Sequence, residues 1–125
     1  LAHSQEQESA GNVVLLHGLA RTAGSMDSME KNLSKAGFRV CNIDYPSRKH
    51  RIEKLTSEFI VPDIQKCFGD ALTPVHFVTH SLGGIIVRQL AAGHQQIKIG
   101  NSISCYGKRN IGSRLVECRF ISIRR

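Results

Sequence analysis

The stretch FVTHSLGG, residues Phe77–Gly84, decides how the chain is read. Strand-forming residues end abruptly in a serine. Two glycines and the helix-like run IIVRQLAA follow at once. A serine set directly between a strand and a helix must occupy a tight, strained turn, which lifts its hydroxyl above the sheet and aims the next helix N-terminus at it. Gly83 and Gly84 supply the space: without a Cβ, the helix can start close to the strand with its first N–H groups pointing at an anion.

Outward from this point, strands and helices alternate. NVVLLHG has four consecutive apolar residues, Val13–Leu16, as expected of a strand buried on both faces of a parallel sheet. MDSMEKNLSKAG places Met26, Met29, Leu33 and Ala36 on one helical stripe, ordinary core, and stops at Gly37. FRVCNID reads as the second strand and YPSRKH as a polar turn. Ile52, Leu55, Phe59, Ile60 and Ile64 mark a helix that Pro62 should kink or split. PVHFVTH is a third strand and GGIIVRQLAAG a helix carrying Ile86, Leu90 and Ala91 on one side; ISCY, residues 103–106, is a fourth strand. The expected class is α/β, a mostly parallel sheet with helices on both faces. In such sheets the binding crevice lies beyond the strand C-terminal ends, where HGLARTAG and THSLGG would face each other.

Bulk composition narrows the function. A chain of 125 residues, 41% hydrophobic and 22% charged, has the size and mix of one ordinary globular domain. No apolar run approaches the roughly 20 residues needed to cross a bilayer, and no leader-like apolar segment follows Leu1. The net charge of +7 is concentrated late: residues 1–93 carry ten Lys or Arg against nine Asp or Glu, and residues 94–125 seven against one. With only Tyr106 and Phe120 as aromatic platforms there, nucleic-acid binding is disfavoured. Cys41, Cys67, Cys105 and Cys118 stand 26, 38 and 13 positions apart, without a C-x-x-C pair. They read as buried or incidental thiols, which favours a reducing, cytoplasmic setting; a secreted or periplasmic one stays open if an upstream leader has been removed.

Two motifs, VVLLHGLA and HFVTHSLGG, in that order and about sixty residues apart, resemble the H-G oxyanion-loop strand and the G-x-S-x-G nucleophile elbow of the α/β-hydrolase superfamily. Within it the chain is most similar to bacterial lipase or esterase-like proteins, over residues 12–93 and more faintly to 113. The resemblance implies that Ser81 is the nucleophile toward a small-molecule or lipid ester. The backbone N–H groups of Leu19 and Leu82 would form the oxyanion hole, with His17, Gly18, His80, Gly83 and Gly84 as motif support, and neither cofactor nor metal would be needed. His17 would orient its loop and not act as base. Thr79 departs from the motif, standing where glycine is usual.

Plainer readings compete with these. Ser81 suits a helix N-cap. His80, adjacent along a strand, should point to the opposite face as a packed histidine. His76 and His80 mimic a metal pair, but four strand positions separate them by about 13 Å. Asp44 reads as a loop cap, and Gly18 and Gly24 lack the lysine of a phosphate loop.

The family's triad order is Ser, acid, His, whereas here only His94 and then Glu117 follow Ser81, in reverse. YGKRNIGS faintly resembles the family's loop after its sixth strand, with Lys108 and Arg109 replacing a small residue and proline, and RLVECRFISIRR resembles nothing. The expectation is therefore an incomplete α/β-hydrolase domain over residues 1–125, its basic tail 114–125 unassigned. Such a portion would lack the triad acid and base, and its last strand would be an open edge able to self-associate. The alternative is a non-catalytic remnant or binding module that keeps the fold.

Overall fold

The computed structural model describes residues 10–69, 73–107 and 116–121. Of the stretch resembling the family's sixth-strand loop, Tyr106 and Gly107 end a strand, and residues 108–113, Lys108 and Arg109 among them, lie outside the described residues. In chain order the elements are β1 (Asn12–Leu16), a 3-10 turn (Ala23–Met26), α1 (Asp27–Lys35) and β2 (Arg39–Ile43). A helical stretch follows as α2 (Ile52–Lys54), a π turn (Leu55–Ile60) and α3 (Val61–Phe68), then β3 (Val75–His80), α4 (Leu82–Gly93), β4 (Ile99–Gly107) and β5 (Val116–Ile121).

The strand order is β2-β1-β3-β4-β5, with the first four parallel. The four apolar residues of β1 explain its central place. Val13 and Leu15 pack with Val78 and Met26 against Met29 and Leu33 of α1. Val14 and Leu16 face the other way, into a larger cluster with Phe77, Ile64 of α3 and Ile86, Val87 and Leu90 of α4. Helices therefore cover both faces. Ala36, expected on the α1 stripe, is instead the exposed C-cap of that helix.

Pro62 does not break its helix: the run from Ile52 to Phe68 is continuous and changes only in its winding, with αR backbone at each junction. Pro62 falls in the first turn of α3, and the wider π turn before it accommodates the ring and the missing N–H.

Two further expectations are corrected. Cys41 and Cys67 are disulfide-bonded across a Cα separation of 6.1 Å, Cys105 is also disulfide-bonded, and no described cysteine is a free thiol. Packing of α3 on β2 brings Cys67 to Cys41, a proximity that spacing along the chain does not reveal. The reducing setting rested on free thiols and falls with them. The second concerns which strand is last: β4 has a further neighbour, and the sheet ends at β5, whose outer flank has no partner among the described residues. β5, from the segment left unassigned, pairs antiparallel with β4 from Ser102–Ile121 to Gly107–Val116. Val116, Phe120 and Ile121 are residues that suit a strand.

Candidate active site

The connection after β1 runs to β2 on one side of the sheet and that after β3 runs to β4 on the other. Between β1 and β3 the windings diverge, leaving a crevice above their C-terminal ends. Leu16 is in register with Thr79, so continuing both strands sets Gly18 beside Ser81.

Ser81 takes φ +52° and ψ −107°, and among the described residues only Ala20, in the facing loop, shares a positive φ without being glycine. For a residue with a Cβ this conformation costs on the order of 1–3 kcal/mol. Backbone bonds on both sides hold it: the Ser81 N–H donates to the Cys105 carbonyl (3.2 Å) and the Gly84 N–H to the Ser81 carbonyl (3.0 Å). The side chain is exposed and its hydroxyl does not cap α4. Helix capping therefore does not account for this serine.

The bend exists because α4 can approach the sheet. A Cβ at Gly83 would lie 2.8 Å from both the Cβ and the carbonyl oxygen of Leu16 and 2.9 Å from the Cβ of Thr79. One at Gly84 would meet the Ser104 hydroxyl at 3.0 Å. Thr79 is tolerated in place of glycine because these glycines leave it room and because its Oγ1 lies 3.1 Å from the Oγ of buried Ser104. Nothing in the linear motif pointed to Ser104.

His17 is fully buried and both ring nitrogens are engaged. Nδ1 lies 2.8 Å from the Gly18 carbonyl oxygen, and Nε2 lies 3.1 Å from the Tyr45 carbonyl oxygen and 3.3 Å from the Tyr45 N–H. The Tyr45 ring stacks on the imidazole with centroids 4.2 Å apart, and its hydroxyl donates to the His17 carbonyl. Burial pushes the Tyr45 phenol well above its usual value, so it remains a donor. Ala20 N–H donates to Ser47 Oγ (2.9 Å) and Arg21 N–H to the Gly18 carbonyl (3.1 Å), closing the turn. Tyr45 and Ser47 are thus the loop's supports, and neither stood out in the sequence.

The Leu19 N–H has no acceptor among the described residues. The Leu82 N–H lies in the first turn of α4, where helix geometry supplies none.

The remaining candidates are held elsewhere. His80 packs on the opposite side of β3 from Thr79, close enough to Gly18 that a Cβ there would sit 2.5 Å from its Nδ1. Partial burial and, secondarily, the Arg21 guanidinium hold its imidazole below the ordinary histidine value. His76 accepts the Asn101 N–H at Nδ1 (2.9 Å). Asp44 accepts the Ala23 N–H (3.1 Å) and lies 3.5 Å from His17 Nε2, as a loop cap does. His94 is the C-cap at the far end of α4, about 20 Å along the axis from Ser81. Glu117 lies on β5, in register with Tyr106.

No described helix is long and apolar enough to cross a membrane. Comparison with curated proteins and with solved structures gave no match. A family model described as the alpha/beta hydrolase fold matches residues 11–105, a span that contains β1, β3, α4 and both facing loops. With that match over most of its length and this sheet order, the chain belongs to the α/β-hydrolase family.

Proposed function

We propose that the chain carries the nucleophile half of a serine hydrolase site acting on carboxylic esters, of the lipase or esterase type. The observation behind this reading is Ser81: a strained, exposed serine whose hydroxyl caps nothing, set against a loop that presents an unpaired N–H. Its Oγ would bond to the ester carbonyl carbon while the carbonyl π electrons move onto oxygen. The N–H groups of Leu19 and Leu82 would receive that oxyanion, each such donor being worth roughly 3 kcal/mol of barrier. The bend is a nucleophile elbow in this reading. Collapse of the tetrahedral adduct expels the alcohol, which takes up the proton lost by Ser81, and leaves an acyl-serine.

The exposed large hydrophobics of the described residues support an ester with an apolar part. They are Leu19 and Ile85, 57% and 54% exposed, one in the facing loop and one a helical turn beyond Ser81.

Among the described residues, a base for that proton is the missing element. Both nitrogens of His17 are occupied, His80 packs against Gly18, and His94 is a helix length away. Acylation by this chain should therefore be slow, retaining about 10³–10⁴ over water from the oxyanion donors and binding. The same observation favours the second reading, a fold-keeping module without hydrolysis.

A fluorophosphonate followed by peptide mapping separates the two. Modification should fall on Ser81 ahead of the other exposed serines and disappear in Ser81→Ala. Labelling spread evenly over surface serines would leave only the non-catalytic reading.

A further inference from the structure

A shallow cavity of about 450 Å³, largely open to solvent, lies beside the loop that follows β1 and is lined by residues 20–22 and 44–49. Its volume is in the range of small-molecule sites, roughly 300–1,000 Å³. Its charge is one-sided, because Arg21, Arg48 and Lys49 line it against one carboxylate, Asp44. None of the three cations forms an ion pair among the described residues, while Asp44 uses one of its two oxygens to accept the Ala23 N–H. Ser47 Oγ accepts the Ala20 N–H, which leaves its own proton free to donate. The Tyr45 hydroxyl is turned away to the His17 carbonyl, so that residue offers only its ring. The site therefore sets three cations and a hydroxyl donor against one carboxylate, a net positive charge that complements a carboxylate or phosphate.

We infer that this cavity binds an anionic oxygen group, carboxylate or phosphate, carried by the ester whose carbonyl lies at Ser81. The inference rests on the hydrolase reading for the second half of that statement. Leu19, the oxyanion donor, is two residues from Arg21, so their Cα atoms are at most about 7 Å apart. A charged group in the cavity thus lies within a few bonds of a carbonyl held at Leu19. Arg21 also spans both places: it lines the cavity, and its charge is felt at His80, next to Ser81. Substrate selection then comes from cations on the oxyanion loop and on the turn after β2.

The test uses the whole chain with two kinds of probe. Inorganic phosphate, titrated while backbone amides are followed by NMR, should shift the amides of residues 20–22 and 47–49 saturably. Arg21→Gln and Arg48→Gln, both at exposed positions, should each weaken that binding at least about tenfold, whereas Ser81→Ala should not alter it. In parallel, nitrophenolate release in excess of that seen with Ser81→Ala is compared for mono-4-nitrophenyl adipate, whose carboxylate is too distant for rapid anhydride formation, and neutral 4-nitrophenyl hexanoate. The charged ester should acylate Ser81 about tenfold faster, and the two glutamine substitutions should abolish the preference. Non-saturating shifts spread over the surface, or equal acylation by both esters, would overturn the inference while the hydrolase reading stands. Saturable phosphate binding without acylation by either ester would remove the hydrolase reading and leave an anion site.

Discussion

The hydroxyls of Thr79 and Ser104 lie 3.1 Å apart on neighbouring strands, both buried, beneath the first turn of α4. Thr79→Val keeps the shape but strands the Ser104 hydroxyl in a dry environment, which should lower stability by about 1–3 kcal/mol. Adding Ser104→Ala should recover most of the loss, because removing both polar partners is far less costly than removing one. Urea midpoints for the two single variants and the double variant measure the coupling. Additive losses would mean the pair is incidental.

Ser81→Gly should make the protein more stable. Glycine adopts φ +52° without a Cβ clash, and the serine hydroxyl caps nothing that would be lost. A gain of about 1 kcal/mol is expected, seen as a rise of roughly 4 °C in Tm. A stabilised protein that no longer takes the fluorophosphonate label would show the strain belonging to function and not to folding.

The disulfide between Cys41 and Cys67 closes a loop of 26 residues and ties α3 to β2. Replacing both cysteines by alanine should cost about 3 kcal/mol, largely by freeing the unfolded chain. Denaturation monitored by circular dichroism gives the value. Indifference to the double substitution would mean that packing alone holds α3 in place.

His80 makes stability depend on pH in a defined direction. Its folded imidazole binds a proton less readily than in the unfolded chain, so protons accumulate preferentially on the unfolded state as pH falls. Stability from this source is complete above the ordinary histidine value, about 6.5, and declines on acidification below it. His80→Gln should flatten that part of the Tm-against-pH curve. An unchanged slope would assign it to other groups.

The parts of the fold legible in the sequence are those specified locally. Four apolar residues in β1, the serine wedged before two glycines, and Pro62 inside a helical run each constrain the backbone where they stand. What escaped the sequence depends on elements distant along the chain. Cys41 meets Cys67 only once α3 lies on β2, and Ser47 and Tyr45 support the Leu19 loop only once β1 and β2 are neighbours. Ser104 takes its role from Thr79, a residue that looked like a departure when considered alone. The strand β5 alternates apolar and polar residues too briefly, within too basic a segment, to be told from a solvated tail.

The strand β5 limits how the sheet can be extended on the side of β4. A β-strand has two flanks; β4 spends one on β3 and the other on an oppositely directed neighbour. No co-directional strand can then be appended beside β4 to carry an imidazole up to Ser81. In the serine-hydrolase reading proposed above, a proton acceptor for Ser81 would then come from a segment other than a parallel strand beside β4, or from another molecule.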